Sequence, residues 1–225
     1  MRRRFRDRAH AGVELAELLS AYRGTDGVVL GLPRGGVAVA APVADALDLP
    51  LDAYVVRKLG VPGHEELAMG AIASGGTVVW NADVVEPLGI GLDRREAVVE
   101  RERAELERRE REYRGDREPV VVSGRTMLVV DDGLATGATM AAAVAALKAD
   151  APLAIVVADP ITDDPTRERS RLRAAIEALR AEVDDVVAVV VPERFGAVGE
   201  WYDDFSATTD AEVVALLRRG RGRDD

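Results

Sequence analysis

Two kinds of apolar pattern alternate along this chain. Short continuous runs fit strands buried on both faces, and stretches in which apolar residues return every three or four positions fit helices packed on one side. Leu15, Leu18, Leu19 and Tyr22 share one helical face, which predicts a first helix over Ala9 to Tyr22 that Gly24 ends. Val28 to Leu32 reads as a strand closed by Pro33, Gly36 to Leu47 as an Ala/Val-rich helix, and Leu51 to Val56 as a second strand. Strand, helix, strand predicts a parallel βαβ unit. Beyond the Gly/Pro-punctuated segment Gly60 to Gly63, Met69 to Ala73 and Thr77 to Trp80 read as a hairpin across Ser74, Gly75 and Gly76. Asp93 to Arg114 is a charged helix with acids and bases spaced four apart, such as Glu105/Arg109 and Glu110/Arg114. Its apolar stripe, Leu92, Val99, Leu106 and Tyr113, is narrow enough to lean on the domain or to offer a homodimer contact. From Thr126 the rhythm resumes: strand Met127 to Val130, helix Ala138 to Ala149, strand Leu153 to Val157, helix Pro165 to Glu182, strand Val186 to Val191. The expected fold is α/β, a mostly parallel sheet flanked by helices, and in such sheets ligands gather at the carboxyl ends of the strands.

Composition narrows the picture. At 225 residues the chain fits one domain, with its core at about 24–60 and 119–192, the charged helix at 93–114 and a C-terminal tail at 193–225. No apolar run approaches the roughly 20 residues that cross a bilayer, and no apolar h-region follows the basic start, so a soluble, cytoplasmic protein with no membrane partner is expected. There is no cysteine and only His10 and His64, which leaves oxygen ligands for any metal. A net charge of −10 argues against a nucleic-acid partner. The basic clusters at Arg2, Arg3, Arg4, Arg6 and at Arg218, Arg219, Arg221, Arg223 lie at the termini and read as solvated tails.

The chemistry concentrates in Val129 to Met140. Two acids, Asp131 and Asp132, follow a strand; Gly133, Leu134, Ala135, Thr136 and Gly137 form a turn; Ala138 and Thr139 open a helix. Backbone N–H groups at a helix N-terminus, joined by the Thr136 and Thr139 hydroxyls, suit a phosphate, and Gly137 lets the backbone come close. The acids would repel that phosphate but accept hydrogen bonds from sugar hydroxyls and help hold Mg2+, directly or through water. Acids for a sugar beside amides for its phosphate describe a sugar-phosphate site. At the first core strand's end, Arg34 supplies a cation and Gly35 and Gly36 supply exposed N–H groups, and Arg57 and Lys58 add two cations at the end of the next strand.

The stretch Val129 to Met140 resembles the phosphoribosyl pyrophosphate (PRPP) signature of type I phosphoribosyltransferases, and Gly31 to Gly36 resembles that family's pyrophosphate loop. Arg108-Arg109-Glu110, Tyr113-Arg114 and the tail Phe195 to Phe205 extend the likeness to a set of stand-alone or hydrolase-fused members without an assigned acceptor. The resemblance implies a type I fold with a small hood or lid. It also implies Mg-dependent transfer of the phosphoribosyl group to a nucleobase-like acceptor with release of pyrophosphate. Asp131, Asp132, Lys58 and Arg34 would carry the reaction. Asp131 to Gly133 and Ala135 to Thr139 would bind PRPP, and Arg34, Gly35, Gly36, Arg57 and Lys58 its pyrophosphate. Gly60 to Gly70 falls where the family carries a mobile closing loop, and Phe195, Trp201 and Tyr202 fall where relatives form a hood over the base. Ala135 stands where 6-oxopurine enzymes have an aspartate, so the acceptor is not read from this motif. A non-catalytic PRPP or nucleotide sensor on the same fold is the alternative, though it would need a basic nucleic-acid face or an attached DNA-binding domain. A Rossmann dehydrogenase is set aside because Pro33 interrupts the glycine fingerprint.

Overall fold

The computed structural model describes residues 4–134, 137–162, 173–191 and 195–219. Its centre is a five-stranded sheet, all parallel, made of β1 (Gly27–Gly31), β2 (Leu51–Ala53), β6 (Thr126–Val130), β7 (Ala154–Ile161) and β8 (Asp185–Val190) in the order β2-β1-β6-β7-β8. The continuous apolar runs have the expected cause, since alternate residues of one strand enter different cores. Val29 and Leu128 pack with α1 (Arg8–Leu18) and α2 (Gly35–Leu47), whereas Val28, Leu30 and Met127 pack with α5 (Ala138–Ala149) and α6 (Arg173–Glu182).

A second, antiparallel sheet holds β3 (Val56–Val61), β4 (His64–Ala73) and β5 (Val78–Trp80). Here the expected strand Leu51 to Val56 divides. Leu51 to Ala53 pair with β1, Tyr54 and Val55 turn away, and Val56 opens the antiparallel sheet opposite Ala73. Residues 51–55 are all buried, so the change of pairing partner leaves no mark on the apolar pattern. The hairpin across Ser74 to Gly76 is present. The segment Gly60 to Gly70, expected as a loop, instead runs through a second hairpin turned at Pro62 and Gly63, the latter at φ 84°. β7 also outruns its expected end at Val157, continuing through Asp159 and Pro160 to Ile161. β6 has ended by then, so the missing N–H of Pro160 costs no bond on that side.

Helix α3 (Ala82–Val85), which the pattern did not show, leads to α4 (Leu92–Arg114). The stripe of α4 is filled from within the chain: Val99, Leu106 and Tyr113 are buried against β3, β4 and α7 (Asp210–Arg219), so it is not free to form a homodimer contact, and Leu92 alone of the stripe stays exposed. Arg114 braces the helix end, reaching the buried Asp52 of β2 at 3.1 Å and Glu110 at 3.5 Å. No described helix is long and apolar enough to cross a membrane.

The N-terminal segment departs most from expectation. From Arg4 onward it is not a solvated tail: Phe5 is 1% exposed, packs with Trp201 and Tyr202, and donates its N–H to the Trp201 carbonyl at 2.8 Å. Asp203 and Asp204 return N–H groups to Phe5 and Arg6 at 2.8 and 2.9 Å. One aromatic side chain among basic residues is enough to anchor the segment. Arg218 and Arg219 lie on the last turn of α7, while Arg2, Arg3, Arg221 and Arg223 are outside the described residues.

Candidate active site

Neighbouring β1 and β6 carry the loop Leu32 to Gly36 and the pair Asp131-Asp132 from the same sheet edge, so two motifs far apart in sequence lie side by side. Leu32 donates its N–H to the Val130 carbonyl at 2.9 Å, and the Pro33–Arg34 peptide is cis. The contact between the loops is close enough to require glycine. A Cβ on Gly36 would stand 2.6 Å from the Val130 carbonyl oxygen and 2.9 Å from the Asp131 Cα, and one on Gly35 would stand 2.0 Å from Asp132 Oδ2. Gly35 also begins α2, and Gly137, at φ 70°, precedes α5. Among the described residues neither N-cap, Arg34 or Gly137, makes a side-chain cap hydrogen bond, and the two positive dipole ends face the same edge. Ala138 and Thr139 are exposed on the first turn of α5. Ala135 and Thr136 lie outside the described residues.

The electrostatics are those of a crowded acidic group. Burial pushes the Asp131 carboxyl up to about 7, and the Asp132 charge adds to the rise, against the Asp132 N–H that Asp131 accepts at 2.9 Å and the charge of Arg8. A third acid, Asp159, stands on β7 one step past the Val130–Ala158 pairing. It is 1% exposed, and neither carboxylate oxygen has a hydrogen-bond partner among the described residues. Burial, then the charges of Asp131 and Asp132, raise it well above the carboxylate range; the Asp131 N–H, short of hydrogen-bond geometry, opposes this. Sequence reading did not single out Asp159, although it falls just after Val157.

Arg8 was missed as well. Asp7 caps α1 by accepting the His10 N–H at 2.7 Å, which leaves Arg8 on the first turn. Its Nε meets Asp132 Oδ2 at 2.8 Å, its Nη1 meets the Ser206 carbonyl at 2.7 Å, and its guanidinium lies 3.9 Å from the Phe205 ring centre. No local pattern could have shown that partner.

The expected cations separate by strand geometry. Adjacent residues of β3 point to opposite faces, so Arg57 turns to α4 and pairs with Glu102 at 2.7 and 3.1 Å, engaged away from Lys58. Lys58 lines a cleft of about 450 Å³ between the small sheet and α5, with Trp80, Asn81, Ala138 and Thr139. Arg34 is half-exposed, 4.0 Å from Asp210 of α7. Of the expected hood residues, Phe195 is half-buried, while Trp201 and Tyr202 are core at 5% and 1% exposure and offer no ring face to a base. Tyr202 instead supports the site from beneath, donating its hydroxyl to the Asp132 carbonyl at 2.7 Å.

Residues 9–193 match the family model described as "Phosphoribosyl transferase domain". The chain belongs to that family. Its phosphoribosyl transferase domain is 43% identical, over 215 residues and 96% of the chain, to a Mycobacterium tuberculosis protein named "Putative phosphoribosyl transferase Rv0571c". The chain spans 46% of that relative's length. The same domain matches the crystal structure of TT1426 from Thermus thermophilus at a TM-score of 0.82 and 41% identity, covering 96% of this chain and 98% of the other.

The residues present suit Mg2+ that arrives with a ligand better than Mg2+ caged by protein. Among the described residues no three acids or histidines are arranged to hold a metal, and Asp132 Oδ2 is engaged by Arg8. Mg2+ commonly takes one or two carboxylates and fills its other positions with water and substrate phosphate oxygens. Asp131 and Asp132 can provide that share.

Proposed function

We propose that this edge binds PRPP with Mg2+ and transfers its phosphoribosyl group to a nitrogen of a nucleobase-like acceptor, releasing pyrophosphate. The observation that carries the reading is the interlock of Gly35-Gly36 with Asp131-Asp132 beside the first turn of α5. Three binding functions then meet around one sugar. The first turn of α5, with the Thr139 hydroxyl, receives the 5′-phosphate. Asp131 and Asp132 accept hydrogen bonds from the ribose hydroxyls. The glycine N–H groups, Arg34 and Lys58 receive the pyrophosphate and favour its departure as charge builds on it. Mg2+ would neutralise part of the diphosphate charge when bound. The C1′–oxygen bond breaks as the acceptor nitrogen approaches, so positioning and charge stabilisation do most of the work. Arg57 is left out of this set because Glu102 holds it, and the acceptor contact narrows to Phe195. The proposed setting is the cytoplasm.

The test is calorimetric titration of PRPP with and without Mg2+, run beside Asp131→Asn/Asp132→Asn. Magnesium-dependent binding that the double variant loses supports the site. Binding with no pyrophosphate release across a panel of nucleobases would favour the sensor. Absence of binding by folded wild-type protein would refute both.

A further inference from the structure

We propose that Arg8 is a positioning residue of the sugar site, holding the Asp132 carboxylate in place from behind, an inference that rests on the PRPP reading above. Asp132 is gripped at two points by one assembly. Arg8 Nε meets its Oδ2 at 2.8 Å, and the Tyr202 hydroxyl meets its carbonyl oxygen at 2.7 Å. The two grips are joined: Arg8 lies over Phe205 at 3.9 Å, and Phe205 stacks on Tyr202 with ring centres 5.0 Å apart and planes 29° apart. Ser206 fixes the far side of the guanidinium through its carbonyl.

Three features distinguish this from an ordinary surface ion pair. The side chains of Arg8 and Asp132 are 12% and 19% exposed, so solvent screens the pair less than it screens pairs on the outer face of α4. The guanidinium is held flat by an aromatic ring, which removes much of its rotational freedom before any ligand arrives. The pair also sits in the seam between the two loops, since a Cβ on Gly35 would be 2.9 Å from Arg8 Nε as well as 2.0 Å from Asp132 Oδ2. A carboxylate that must accept sugar hydroxyls gains from a fixed orientation. Arg8 provides it from a seat fixed by Phe205 and Ser206.

The test compares PRPP with pyrophosphate as calorimetric probes, both with Mg2+, on wild type, Arg8→Met and Arg8→Lys, with thermal melts alongside. Pyrophosphate shares with PRPP the glycine loop, Arg34, Lys58 and the Mg2+ to which the acids contribute, and lacks only the ribose hydroxyls, so a loss confined to PRPP reads the sugar contact. Arg8→Met is expected to weaken PRPP about tenfold, the scale of one charge-assisted hydrogen bond, while pyrophosphate changes less than about twofold. Arg8→Lys, which keeps the charge but not the flat stacked fork, should fall between. If Arg8→Met does not fold, Arg8→Lys carries the comparison, with a PRPP loss of about threefold expected. Equal weakening of both probes would make Arg8 a structural residue and overturn the inference, as would unchanged PRPP binding. Failure of the wild type itself to bind PRPP is the separate result that removes the underlying reading.

Discussion

Adding a single methyl group at Gly35 tests the interlock between the loops directly. In Gly35→Ala the new Cβ would fall 2.0 Å from Asp132 Oδ2, 2.7 Å from its Cγ and 2.9 Å from Arg8 Nε, where Cβ contacts under 3.0 Å are essentially never seen. The carboxylate must therefore retreat by about 1 Å, the difference between 3.0 and 2.0 Å, taking the ion pair with it. Insertion of a methyl into a tight contact costs about 1–3 kcal/mol. For a chain of this length that corresponds to roughly 2–12 °C in melting temperature. The displaced acid should also weaken Mg2+-dependent PRPP binding about tenfold or more. Differential scanning calorimetry and PRPP titration on one preparation measure both. Gly75→Ala is the control: its φ is 83° but nothing lies within 4 Å, so it should lose about 1 kcal/mol to backbone strain and leave binding alone. If Gly35→Ala melts and binds as the wild type does, the loops do not touch as described and the argument for a joint site fails.

Other outcomes follow from single contacts. Arg57→Ala should destabilise the protein by about 1 kcal/mol, since Glu102 loses one partner but keeps Arg101 at 3.1 Å, and leave PRPP affinity nearly unchanged, whereas Lys58→Ala should do the reverse; melts and titrations of the two separate them. Tyr202→Phe removes the hydroxyl on the Asp132 carbonyl and should cost about 1 kcal/mol, read as a small fall in melting temperature. Asp131 has a folded pKa of about 7 against about 3.9 when unfolded, so the native state binds more protons between those values and stability from this group falls as pH rises from about 4 to about 7. Asp131→Asn should gain on the wild type by up to about 4 kcal/mol across that window in urea titrations. A constant difference between the two proteins would contradict the assigned shift.

Legibility in the sequence followed the range of each interaction. The parallel strands were readable because burial on both faces turns each into a continuous apolar run, and the Asp131 motif was readable because strand end, turn and helix start are consecutive. Tyr54 and Val55, where the chain passes from one sheet to the other, look like strand because residues on either side are equally buried. Arg57 and Lys58 read as one basic pair, yet the two-residue period of a strand sends them to different neighbours. Trp201 and Tyr202 were aromatic enough to suggest stacking on a ligand, and their aromatic character serves a small core with Phe5 instead. Asp159 and Arg8 act through partners on other strands and at the opposite end of the chain, which no window of sequence contains.

The pairing of the two ends has a consequence for when the site comes into being. Synthesis delivers Phe5 and Arg8 long before Trp201, Tyr202 and Ser206, which they bind; 198 residues separate Arg8 from Ser206. Until those residues emerge, the first segment has nothing to dock against, and Asp132 can have its strand, its loop and its glycine neighbours without its guanidinium. The sheet can form during translation, whereas the Asp132 carboxylate meets Arg8 only through a contact of long sequence separation, the kind that closes late. A nascent chain halted before residue 201 would therefore carry the loop after Asp132 in an unfinished site, and emergence of residues 201–206 would be the event that completes it.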